Sequence, residues 1–185
     1  MLSLALGLPL LVVACPAGPR NLELYPDPAR SPYRLPWKEG VSHVCIQGNN
    51  GSVSHHGPGE FAYDFLMPSG TEVLAARAGT VAGVKEDSDS VGSAALNNYV
   101  RIRHADGTVA SYLHLQQDGA LVTVGQEVEQ GEVIARSGWT GRAALPHLHF
   151  HVRRGEREIP VTFREVASGM GVPRTFGVYS AGPSR

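Results

Sequence analysis

Several things are scarce in this chain of 185 residues, and each scarcity excludes something. Formal net charge is only −1, so no broad basic surface argues for nucleic acid. Lysine occurs only at Lys38 and Lys85. Cysteine occurs only at Cys15 and Cys45, which allows at most one disulfide and rules out a disulfide scaffold. Aromatics make up 7 %. No long segment carries apolar residues at a 3.6-residue period, so helices are not expected to build the core. No His-Glu-x-x-His is present, which removes the commonest zinc-peptidase signature. The longest uncharged apolar stretch, Met1 to Ala14, is too short to span a bilayer as a helix.

What is present begins with that stretch. Residues 1–14 read as a signal peptide's apolar region. Val13-Ala14-Cys15 resembles a bacterial lipoprotein processing box, with Cys15 as the acylated first mature residue. No Lys or Arg precedes the run, as a signal peptide would normally have. Without acylation, a Cys15–Cys45 disulfide is the alternative in an exported protein. Six prolines follow between Pro16 and Pro36, so residues 15–36 are expected to form an extended tether, or else an arm lying on the domain. The expected domain runs over residues 37–163. The Gly-, Ser- and Pro-rich residues 164–185 are expected to form an irregular tail.

Strand signals fill the domain. Asn98 to His104 alternates, turns at Ala105-Asp106-Gly107, and returns through Thr108 to Leu115. His104, beside the turn, reads as a surface residue, and His43 is given no role. Ample glycine (22) and proline (13) suit short strands and tight turns. The expected class is all-β. An internal echo adds detail: residues 70–79 and 131–138 share a Gly-x-x-Val pattern leading to a second glycine. Biotinyl and lipoyl carriers use similar hairpins but display a lysine at the tip. Lys85, in Val84-Lys85-Glu86-Asp87, does not fit that role.

The strongest chemical signal is Leu145-Pro146-His147-Leu148-His149-Phe150-His151-Val152. Side chains alternate faces along a strand, so His147, His149 and His151 share one face. Imidazole is a common ligand for transition metals, and a one-residue gap puts two rings within reach of one ion. Upstream lie Ser54-His55-His56 and Tyr63-Asp64-Phe65, with Tyr112-Leu113-His114 between the clusters.

These pieces, with Asn98-Tyr99-Val100 and Ser137-Gly138-Trp139-Thr140-Gly141, resemble the lysostaphin/LytM-type zinc endopeptidases over about residues 37 to 163. The resemblance implies antiparallel strands in an open sandwich or barrel-like duplicated hybrid motif. It implies a zinc ion held by His55, Asp64 and His149, with His56 and then Glu60 as alternatives to His55. His114 and His147 match the family's two catalytic, non-ligand histidines, and the division of labour between them stays open. Asn98 and Tyr99 match a position lining the substrate groove, with hairpin packing as the alternative. His151 is a candidate for orienting a ligand, although solvated or structural roles are open too. The implied activity is hydrolysis of peptide bonds in peptidoglycan stem or cross-bridge peptides by an exported, membrane-anchored lipoprotein. Its partners are peptidoglycan peptides, without nucleic acid, and a membrane only through the lipid anchor. The rival reading is a LytM-like regulator that has lost catalysis and activates other wall hydrolases.

Overall fold

A computed structural model describes residues 18–167 and 169–183. The apolar N-terminal stretch and Cys15 lie outside the described residues. Among the described residues, twelve strands carry the fold: β1 Ser42–Gln47, β2 Tyr63–Leu66, β3 Glu72–Leu74, β4 Gly79–Lys85, β5 Tyr99–Arg103 and β6 Val109–Leu113 come first. β7 Leu115–Ala120, β8 Glu127–Val128, β9 Val133–Ser137, β10 His147–Arg154, β11 Arg157–Glu158 and β12 Val178–Ser180 follow. The helices among the described residues are single 3-10 turns of three residues, and none is long and apolar enough to cross a membrane.

The strands form two antiparallel sheets. The large one runs β12-β1-β2-β10-β6-β5-β4-β8 with β11 on β10; the small one runs β3-β9-β7. Both are open at their ends rather than closed into a barrel. The two echoed segments meet in the small sheet, where Val73 faces Ala135 and Glu72 faces Arg136. The repeated pattern is therefore architectural.

The expected hairpin joins β5 to β6. Gly107 takes φ +78, and Asp106 Oδ1 accepts from the Thr108 amide at 3.1 Å and its hydroxyl at 2.6 Å. A left-handed residue favours glycine, and aspartate accepts hydrogen bonds two residues ahead.

β10 is the central strand for function. Leu148, Phe150 and Val152 are fully buried and enter the core from one face. Phe150 meets Tyr112 edge-on at 5.2 Å and Phe163 at 5.7 Å. Side chains of this size contribute about 1.5–3 kcal/mol each on burial. The opposite face of the same strand carries the histidines.

Of the two readings of the proline-rich arm, the structure has the arm lying on the domain, packed from Leu22 on. Tyr25, Tyr33 and Leu35 are buried in the core cluster, and Arg34 pairs with Glu165 at 2.9 Å. The apolar side chains interspersed among the prolines gain more by burial than a solvated tether would. The C-terminal segment, expected to be irregular, is also packed on the domain: β12 pairs with β1, and Val172 is fully buried. His104 is also buried, its Nδ1 2.8 Å from the Ala78 carbonyl.

Candidate metal centre and groove

Strand pairing supplies the first two groups of the site. Asp64 on β2 and His149 on β10 are direct partners in the antiparallel ladder. The Asp64 carboxylate lies 2.8 Å from His149 Nδ1 and 3.0 Å from the Gln47 amide nitrogen, which donates to it. His55 arrives from the β1–β2 loop. Gln47, at the end of β1, also accepts from the Val53 and Ser54 amides, which sets the loop just before His55.

His55 is almost fully buried, with Nδ1 3.1 Å from the Gly48 carbonyl. A carbonyl can only accept, so Nδ1 carries the hydrogen. In the neutral ring, Nε2 then presents a lone pair. That atom has no hydrogen-bond partner and faces Asp64 at 3.2 Å. Two buried acceptors in contact call for a cation between them. Ligand atoms of His55, Asp64 and His149 all lie within 4.8 Å of one another. The chemistry of this donor set, two imidazoles and one carboxylate, fits a metal ion with a position left open.

His151 stands behind His149. Its Nδ1 is 3.1 Å from His149 Nε2 and 3.7 Å from Glu158, which Arg153 also approaches at 3.4 Å. When His149 Nε2 carries a hydrogen toward His151, its Nδ1 lone pair is turned to the site. Such outer contacts fix a ligand's tautomer and orientation.

His147 and His114 flank the metal-binding set. Their ring centroids are 4.5 Å apart, and His114 is 5.7 Å from His149. Each has Nδ1 bonded to a backbone carbonyl, Leu145 for His147 and Thr140 for His114, both at 2.8 Å. His147 Nε2 lies 3.5 Å from Asp64. His114 separates β6 from β7 with φ +65. A left-handed non-glycine residue costs about 1–2 kcal/mol. Strict alternation would send His114 to the same face as the core residue Tyr112. The left-handed residue breaks that alternation, so His114 reaches the site while Leu115 is buried.

The electrostatics follow from burial and these contacts. Burial opposes ionisation of Asp64, but the imidazoles of His147, His149 and His55 around it outweigh burial and hold the carboxyl well below the usual carboxylate range. Burial, then the charges of His147 and His149, push His114 down to about 3. Burial also lowers His147, but Asp64 outweighs it and the net shift is upward. Burial takes His151 down to about 2.

Gln47, His55, Asp64, His114, His147 and His149 line a groove of about 790 Å³ whose remaining wall is mostly apolar. His56, the alternative to His55, is exposed, and Glu60 bonds Asn50 at 3.1 Å, away from the cluster. Asn98 and Tyr99 do not line this groove. Asn98 is fully buried, with its side chain spent on the backbone of Ser88 at 3.0 and 2.8 Å. Tyr99 lies under the Arg101 guanidinium, 4.1 Å from ring centroid to carbon. The neighbouring Asn97 lines the groove instead. Gln47 escaped the sequence reading; its signal is a polar residue at a buried position of β1.

A family model described as Peptidase family M23 matches residues 59–161, which include Asp64, His114, His147 and His149. The chain is 40 % identical over 87 residues to the peptidoglycan DD-endopeptidase ShyC of Vibrio cholerae, covering 47 % of this chain and 18 % of that protein. It is 33 % identical over 111 residues to ShyA of the same organism, also called a peptidoglycan DD-endopeptidase, covering 60 % and 24 %. The chain thus spans less than a quarter of these curated relatives. Among solved structures, the catalytic domain of the prophage-encoded M23 protein EnpA from Enterococcus faecalis superposes with a TM-score of 0.54 at 24 % identity, covering 68 % of this chain and 94 % of that one. That likeness shows the fold.

Proposed function

The chain belongs to peptidase family M23, and on that premise we propose that it is a zinc-dependent endopeptidase cutting peptide bonds in peptidoglycan stem or cross-bridge peptides. The observation that carries this is the buried His55 Nε2 lone pair facing the Asp64 carboxylate beside His149, inside an open groove. His55, Asp64 and His149 would hold the metal. Zinc there supplies Lewis acidity and a bound water of pKa near 7.

The chain's own residues do the rest. His114 and His147 present their Nε2 atoms beside the ligands, because their Nδ1 atoms are tied to carbonyls. A neutral ring of the pair would take up the nucleophile's proton at Nε2, and a protonated ring would donate a hydrogen bond from Nε2 to the developing oxyanion. His151 orients His149. The apolar walls exclude water and strengthen each of these interactions.

The names of the curated relatives support a peptidoglycan substrate. The silent-regulator alternative is disfavoured because no metal or catalytic position lacks a competent side chain. Export rests on residues 1–14, and lipid attachment on Cys15, so the proposed layout is signal, anchored arm and peptidase domain.

The test is digestion of purified peptidoglycan by the zinc-loaded protein, with mass spectrometry of the fragments. Cleaved peptide cross-links are expected. Intact peptidoglycan in the presence of fully metallated, folded protein would overturn the reading.

A further inference from the structure

We propose that Arg142 forms a carboxylate-binding subsite of the groove, and that this subsite selects cross-links bearing a free carboxylate beside the scissile amide. The inference rests on reading the groove as a peptidase site, and it names which peptide class enters it.

Among the described residues that line the groove, histidines apart, only Asp64 and Arg142 bring a charge. Asp64 is engaged by the metal-binding set. Arg142 is exposed and makes no ion pair with any described residue. The surrounding wall is apolar and largely small, with Val53, Val91, Ala94, Ala143 and Leu145 among its residues. A lone cation on such a wall has no structural partner to serve.

The backbone under Arg142 is fixed. Its amide donates to Asn97 Oδ1 at 3.0 Å. Gly141 donates to the Ser90 carbonyl at 2.9 Å and accepts from the Gly92 amide at 2.7 Å. Gly141 has φ +74, and a Cβ there would fall 1.6 Å from Asn97 Oδ1, so the turn requires glycine. Asn97, which also lines the groove, thereby holds the loop carrying Arg142. A cation on an anchored loop is prepaid in entropy relative to one on a free loop.

The matching ligand has small apolar side chains and one carboxylate, since guanidinium pairs with carboxylate through two parallel hydrogen bonds. A glycine bridge offers neither a methyl group nor a free carboxylate. A direct cross-link from D-alanine to a diamino acid offers both, because the amine-bearing carbon keeps its own carboxylate beside the amide. The subsite therefore favours direct alanine-type cross-links.

The experiment uses two cross-linked D-alanyl peptides that differ only in carrying a carboxylate or a carboxamide beside the scissile amide. With the zinc-loaded full chain, kcat/KM for the carboxylate form is expected to be higher by about tenfold or more, mostly through KM. Arg142→Gln should bring the ratio close to one, and Arg142→Lys should keep part of it. Calorimetric binding of the same peptides reads the subsite without turnover. An unchanged ratio in Arg142→Gln, or equal affinities in the unsubstituted chain, overturns the proposal. If neither peptide is cut but the carboxylate form binds more tightly through Arg142, the peptidase reading fails and the subsite stands.

Discussion

Asp64 and His149 face each other across neighbouring antiparallel strands, with His149 Nδ1 2.8 Å from a carboxylate oxygen. Directly opposed residues keep their Cβ atoms about 4.5–5.5 Å apart. Two of the three proposed metal ligands are thus preset by the ladder, and the third, His55, is set by the loop that Gln47 holds. Metal affinity should therefore depend on all three.

The purified protein should carry about one zinc per chain. His149→Ala and His55→Ala should each release most of it, whereas His56→Ala, altering an exposed side chain, should not. Elemental analysis after desalting checks this; full retention in His149→Ala would sink the ligand assignment.

His114→Ala and His147→Ala should keep zinc and a near-normal melting transition while losing on the order of a hundredfold or more in turnover. The double variant should be little worse than either single one, because groups serving one step are not additive. Loss of zinc from His114→Ala would instead make His114 a ligand.

His151→Ala should weaken zinc binding by about 10- to 100-fold through the released His149 ring. Competition with a chelator measures the change. Unaltered affinity would reduce His151 to a packing residue.

Stability should fall as pH drops below about 6.5. Burial lowers the pKa of both His43 and His104, so each is neutral when folded and binds its proton more readily unfolded. Their contribution is full above the unfolded value and is lost as pH falls through the folded one. Urea midpoints at pH 7.5 and 5.0, in chelator-treated protein, should diverge less for His104→Gln than for the unsubstituted chain. An identical pH dependence would exclude His104 as a contributor.

Expressed from its own signal in a bacterial host, the protein should partition into detergent, and Cys15→Ala should move it to the aqueous phase. Equal partitioning of the two would indicate an ordinary secretory signal.

The β class and the β5–β6 hairpin were legible because they depend on near neighbours. A period of two, with Asp106-Gly107 at the turn, is a local property. The same period placed His147, His149 and His151 on one face. The choice of His55 over His56 was not local, and came from the resemblance. In the structure it depends on a loop whose position Gln47 and Gly48 fix across the strand gap. Asn98 shows the limit of positional matching. Its amide was free to line a groove or brace a loop, and burial against Ser88 chose the second.

By itself, then, the sequence determined which residues could do metal chemistry and which strands would carry them, because side-chain type and strand period are written residue by residue. The tertiary structure decided which of those residues meet. It turned His114 out of the alternating pattern through a left-handed backbone, held there by the Thr140 carbonyl from a segment 26 residues away. It also drew the proline-rich arm onto the core through Tyr25, Tyr33 and Leu35. Both outcomes depend on partners remote in the chain, whose burial and hydrogen bonds outweigh the local backbone preference only once the sheet has formed.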